Sequence, residues 1–288
     1  MPVSLSRTFA QFLSPLSYES MPPAVVDKIK ASILHAMVTG IIGADTSHGQ
    51  AAIHLAKTEE GKPDGATILV DGGKATRCGA AFANSKLMHV TNQAGADRML
   101  IHPGACVIPS ALAAAELGHK SGREFLTAVV AGYEVETRIA GDFIPSTQAR
   151  GFRSSPVYGT LGAAVSCGKL LGLNEDQLVT ALALACTFTG GTTQGAARGG
   201  QEMMYHEPNS TRSGIMAALL AQENLRGSEE SLEGDAGFYN AFTGNNRGEL
   251  SYVFQGPNRT EISNVVADLG TRWEVLHEIG RASCRERV

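Results

Sequence analysis

The chain has 288 residues, of which 43% are hydrophobic and 18% charged, with a formal net charge of −4. That length and balance allow a full buried core and exclude a disordered or fibrous protein. Lys and Arg are scattered rather than clustered, which argues against nucleic acid or an anionic membrane as a partner, so an anionic ligand would have to be met by a local pocket.

The N-terminus, Met1 to Arg7, has no basic segment followed by an apolar run, and no stretch approaches the roughly 20 apolar residues of a membrane span. A cytoplasmic protein is the expectation. The five cysteines, Cys78, Cys106, Cys167, Cys186 and Cys284, form no C-x-x-C pair and suit reduced thiols packed as small hydrophobes rather than a disulfide or zinc framework.

In chain order, Pro22-Pro23 opens a helix ending near Gly43, with Val25, Ile29, Ile33, Met37 and Ile41 on one apolar stripe. Further helices are predicted over 47–57, 76–88, 104–117, 121–139, 156–171, 175–188 and 210–224. Strands are predicted over 66–70, stopped by Asp71-Gly72-Gly73, and over 273–277. Leu117-Gly118, Leu171-Gly172 and Leu225 with nearby Gly227 recur at a constant interval of 54 residues. Ser121 with Glu124, Asn174 with Gln177, and Ser228 follow them as candidate N-caps. An all-α bundle of stacked αα-hairpins with one or two short strands is the architecture expected. Alanine and glycine, dense over 111–115 and 159–168, fit close helix packing. Polar, glycine-rich interruptions over 92–103, 145–155 and 190–209 are the places to look for function.

Several motifs fail. Asp71-Gly72-Gly73-Lys74-Ala75 lacks the first glycine and the Ser/Thr of a phosphate loop, and no G-x-G-x-x-G, H-E-x-x-H or G-x-S-x-G is present. Asn209-Ser210-Thr211 and Asn258-Arg259-Thr260 match the glycosylation pattern but mean nothing without secretion. Three histidines do fall at or beside the interruptions: His89, His102 and His206. A lone histidine near a helix end is commonly structural; three near long loops suggest one pocket.

These segments resemble the 2-methylcitrate dehydratase family, usually called MmgE/PrpD, which also holds cis-aconitate decarboxylase and iminodisuccinate epimerase. The resemblance runs from about Leu5 to His277. It is carried by Ala81-Phe82-Ala83-Asn84 with His89, the run from His102-Pro103-Gly104 to Pro109, Ser121-Gly122-Arg123-Glu124, and Ala131-Gly132-Tyr133-Glu134. Gly151-Phe152, the run from Gly159 to Ala163, Arg212-Ser213-Gly214, and Leu232-Glu233-Gly234 continue it. The resemblance implies an all-α domain over 1–277 and an α/β lid domain that this chain lacks. The last eleven residues, 278–288, look like the translation of a DNA-sequencing adapter, so a longer natural product is expected.

The family resemblance further implies a lyase that works without metal or organic cofactor. It would remove a proton alpha to a carboxylate of a small di- or tricarboxylate, or catalyse a related epimerisation or decarboxylation. Such a carbon acid is weak, so a positioned base and cationic groups are needed. His102 and His206 are the expected catalytic pair, with His89, Asn92, Arg98, Arg153 and Met203 around the substrate. The family pattern H-x-x-D-F-D-D-T is replaced here by His89 to Ala96, which loses the aspartates and the threonine. Arg153 stands where a histidine is frequent, and Met203 where a lysine is expected. Two readings follow from these changes: a retuned pocket in which Arg98 or Arg153 grips carboxylates in bidentate fashion, or a chain that has lost activity. A homodimer is expected from the same resemblance. The competing reading, a helical binding scaffold, would leave His102, Arg153 and His206 on separate faces.

Overall fold

Twelve α-helices and one short hairpin carry the chain through residues 3–89, 94–97, 101–244 and 262–277 of the computed structural model. The first are α1 (Leu5–Leu13), α2 (Pro23–Ala44) and α3 (Ser47–Glu60). A hairpin follows, β1 (Gly61–Thr67) paired antiparallel with β2 (Lys74–Ala75), Thr67 opposite Lys74. Then come α4 (Arg77–Met88), α5 (Pro103–Leu117), α6 (Gly122–Ala140), α7 (Ile144–Ala149) and α8 (Ser154–Leu171). The last are α9 (Glu175–Phe188), α10 (Gln194–Arg198), α11 (His206–Gln222) and α12 (Phe238–Thr243). The expected all-α bundle with short strands is what forms. Asn92, Gln93, Arg98, Cys284 and residues 278–288 lie outside the described residues.

Local chemistry starts α3, α4, α6 and α9 where expected, and caps α1, which is not among the helices expected from the sequence. Ser4, Thr46 and Thr76 accept backbone N–H groups at the starts of α1, α3 and α4, and Ser121–Glu124 and Asn174–Gln177 form capping boxes on α6 and α9. Ser228 does not cap a helix, so the third repeat of the interval fails: after Leu225 the chain turns through Gly227, whose N–H donates to the Thr180 hydroxyl. The strand expected at 66–70 begins earlier, at Gly61. Beyond Thr67, Ile68 stays buried and its N–H donates to the Gly73 carbonyl, while Val70 is exposed with φ of 67° in the turn before β2. The strand expected at 273–277 is a 3-10 turn, Glu274–His277. Its Val275 N–H donates to the Glu134 carboxylate on α6 instead of to a neighbouring strand, and Arg138 anchors the same segment through Asp268 and the Arg272 carbonyl. Helix α11 starts at His206, not Ser210, because Pro208 is tolerated in a first turn.

The core is organised around α8, which touches α5, α6, α9 and α11 and is buried all round from Ser154 to Gly168. Small residues set the spacing. A Cβ on Gly214 of α11 would stand 2.6 Å from the Thr160 carbonyl oxygen and 2.6 Å from the Ala163 Cβ on α8. On the outside, α2 buries Val25 and Ile29 and half-buries Ile33 and Met37, but Ile41 faces outward, as do Leu34, Val38 and Ile42. Among the described residues no helix is long and apolar enough to cross a membrane.

The α8–α11 contact generates a stability test. Gly214→Ala should destabilise the fold by about 1–3 kcal/mol, because the methyl meets backbone that cannot rotate away. Urea denaturation of parent and variant measures it, and an unchanged midpoint would show that the helices have room to separate.

Candidate functional site

Helices α5, α8 and α11 begin at one place. The Ser210 hydroxyl donates to the Pro156 carbonyl at 2.9 Å, joining the first turns of α11 and α8, and the Thr211 hydroxyl donates to the Ala105 carbonyl of α5 at 3.4 Å. Unlike the capped helices, these three have no N-cap side chain that accepts a backbone N–H; the residues there are His102, Arg153 and Tyr205. Each helix start carries the positive end of a dipole, so their meeting is a region suited to negative charge.

Glu207 occupies that region. It lies in the first turn of α11 and is completely buried; one carboxylate oxygen pairs with the Arg153 guanidinium and the other stands 3.3 Å from His89 Nδ1. That second oxygen receives no hydrogen bond. His102 packs on His89 with ring centroids 4.8 Å apart, and its Nδ1 is 3.1 Å from the Gly95 carbonyl oxygen. A carbonyl only accepts, so His102 carries its proton on Nδ1 and leaves Nε2 as the basic nitrogen. Burial opposes the charge of Glu207, yet the neighbouring His89 imidazole and the Arg153 guanidinium hold its carboxyl well below the usual carboxylate range. Burial pushes His89 down to about 3 and lowers His102 as well, against the pull of Glu207.

His206 precedes Glu207 directly. Its half-buried ring is held below the ordinary imidazole range, first by burial and then by Arg153, and its buried Nδ1 has no hydrogen-bond partner. Gly191, at φ of 128°, lets the preceding loop pass close by: a Cβ there would lie 3.2 Å from that nitrogen. The Gly191 carbonyl also accepts the Arg153 N–H at 2.9 Å, fixing the start of α8.

Of the residues expected from sequence, His89, His102 and Arg153 therefore gather around Glu207, with His206 beside it. They are not dispersed as a scaffold would require. Met203 lies in the 3-10 turn Glu202–Tyr205, where its carbonyl accepts the His206 N–H. Asn92 and Arg98 fall outside the described residues. Sequence reasoning missed Glu207 and Lys86. Lys86 is buried on α4, one turn before His89; its Nζ donates to the Met204 carbonyl at 2.6 Å and lies 5.4 Å from the Tyr205 ring centre, and burial pushes its pKa down to about 8. A lysine three residues from a histidine inside an apolar helix was the available signal. Glu207, next to His206 in a polar stretch, had no such pattern. Among the described residues no three His, Cys, Asp or Glu side chains are placed to hold a metal ion.

The buried imidazole makes a pH prediction. Unfolded, an imidazole is protonated near about pH 6.5, whereas folded His89 requires about pH 3. Its contribution to stability is whole above about pH 6.5 and is lost as pH falls toward 3. Between about pH 7.5 and about pH 5, His89→Gln should lose on the order of 2 kcal/mol less stability than the parent. Urea denaturation at both pH values tests this; equal losses would mean that the folded ring is already protonated at the lower one.

A model of the MmgE/PrpD N-terminal domain matches residues 7–251. A cis-aconitate decarboxylase of Aspergillus terreus is 27% identical over 94% of this chain and 55% of its own length. The human cis-aconitate decarboxylase is 28% identical over 82% of this chain and 50% of its own. A cis-aconitate decarboxylase-like protein of Aspergillus oryzae is 25% identical over 95% and 57%. The chain thus spans about half the length of the curated relatives it matches.

Proposed function

The chain belongs to the MmgE/PrpD family, and on that premise we propose that it is part of a cofactor-independent lyase acting on a small di- or tricarboxylate. The observation that carries this reading is the meeting of three helix N-termini with His89, His102, Arg153 and His206 around one buried point. A carboxylate entering there meets positive dipole ends, which stabilise the charge that develops when a proton leaves the adjacent carbon.

His102 is the proposed base. Its Nδ1–H is committed to Gly95, so Nε2 is free to accept the proton, and burial keeps the ring neutral and ready to do so. His206, less buried and with an orphaned Nδ1, is the proposed partner that returns a proton or assists the leaving group. His89 and Arg153 orient the substrate, and Met203 sits beside it in the turn ahead of α11. Asn92 and Arg98 remain proposed substrate contacts on the strength of their sequence positions. Loss of water, as in 2-methylcitrate dehydratase, is the first reaction proposed. Decarboxylation at the equivalent carbon is the second, favoured by the names of the three relatives.

Free thiols at Cys78, Cys106, Cys167 and Cys186 suit a reducing, cytoplasmic setting. The outward apolar residues of α2, Leu34, Val38, Ile41 and Ile42, suit a homodimer contact. Light scattering tests the dimer, and a clean monomer would count against it.

In the full-length protein, His102→Ala should abolish turnover of citrate-like acids and iminodisuccinate while far-UV circular dichroism stays unchanged. Retained turnover in a folded variant would remove His102 from the catalytic set.

A further inference from the structure

A buried lysine is costly unless it is paired, and Lys86 has no carboxylate partner among the described residues and no part in the proposed chemistry. It shares one stripe of α4 with Phe82, four residues before it, and His89, three residues after it. That stripe meets the segment ahead of α11 almost residue by residue. Phe82 stacks on the Tyr205 ring with centroids 6.2 Å apart, Lys86 Nζ donates to the Met204 carbonyl and lies over the same ring, and His89 stands beside Glu207. The Met204 carbonyl needs such a donor. In a helix continued backwards from α11 the N–H of residue 208 would meet it, but that residue is Pro208 and has none. The Lys86 ammonium takes the place at 2.6 Å.

We propose that Lys86 is a positioning residue that clamps the turn Glu202–Tyr205 through the Met204 carbonyl and the Tyr205 ring, and thereby fixes the His206 imidazole beside Glu207. The inference rests on the proposed function in one respect, that it takes His206 to be a proton-handling group. His206 follows the clamped turn directly, and its N–H donates to the Met203 carbonyl within it. A displaced turn therefore carries the ring with it. The turn is also tied to α3, where the Tyr205 hydroxyl donates to the His48 carbonyl at 3.4 Å and Gln201 lies 3.3 Å from His48 Nε2. The charge-assisted bond is the one from Lys86. Burial pushes Lys86 down to about 8, with Glu207 of α11 pulling it up and Arg153 of α8 adding to the fall, so the ammonium is present at neutral pH. The other titratable groups around the turn are His89 on α4, His102 on α5, His48 on α3 and Glu202 within it.

The imidazole resonances of His206, followed by NMR in the whole chain and assigned with a His206→Gln sample, read the place of the ring without any substrate. Lys86→Met keeps the length of the side chain and removes its charge and its donor. In the unsubstituted chain His206 should titrate below the ordinary imidazole range. In Lys86→Met the titration should rise by about 0.5 pH or more, as the ring gains water and loses its fixed place near Arg153. The unsubstituted chain should also show a second inflection of the same resonances near pH 8, where Lys86 gives up its proton, and Lys86→Met should lack it. An unmoved His206 titration in a folded Lys86→Met overturns the inference, even where urea denaturation shows lost stability, because Lys86 would then serve the fold alone. Should Lys86→Met fail to fold, the unsubstituted chain decides: an inflection near pH 8 supports the clamp, and its absence overturns it. Since no substrate enters the measurement, lack of turnover in the full-length protein counts against the lyase reading and leaves the clamp standing.

Discussion

A completely buried carboxylate is tolerated only when its charge is compensated, and Glu207 is paired with Arg153 at the start of α8, while His89 at the end of α4 stands 3.3 Å from its other oxygen. Breaking a buried pair of this kind typically costs about 3–5 kcal/mol, because the remaining charge is left without a partner. The interaction holds helices from distant parts of the chain, α4, α8 and α11, at one point. His89 stays neutral although a carboxylate stands 3.3 Å away, since burial outweighs that attraction.

The packing behind the site explains how the helix starts come so close. Gly214 and Ala163 let α11 lie against α8, and a Cβ on Gly132 of α6 would stand 2.7 Å from the Gly162 carbonyl oxygen of α8. With larger residues the axes would separate and the first turns of α8 and α11 could not share Glu207. The small residues in these helices thus contribute to chemistry indirectly, by bringing positive dipole ends together. Ser85 and Thr211, whose hydroxyls both reach the Ala105 carbonyl, tie α4 and α11 to the start of α5 in the same way.

Other polar residues in the recurring motifs turn out to serve the frame. Asn84 accepts the Leu69 N–H and donates to the Thr67 carbonyl, docking the hairpin on α4. Glu134 and Arg138 form a buried pair on α6 that receives the segment 262–277. A polar residue inside an apolar helix is therefore no guide to catalysis by itself; what separates Asn84 and Glu134 from Glu207 is the company of imidazoles.

What the sequence determined by itself is what depends on neighbours along the chain. Apolar spacing and caps located α2 through α6, α8, α9 and most of α11 and identified the class as a helical bundle, because a helix start is set by side chains within a few residues. His89, His102, His206 and Arg153 were also legible, through their places at interruptions and in family motifs. Tertiary structure decided the rest. The segment at 273–277 alternates like a strand but becomes a 3-10 turn, since its backbone is met by Glu134 and not by a partner strand. Lys86 and Glu207, separated by more than a hundred residues, acquire meaning only when α4 and α11 are packed together. Burial, which weighs against the charge of every group in the site, is a property of that packing and of no single stretch of the chain.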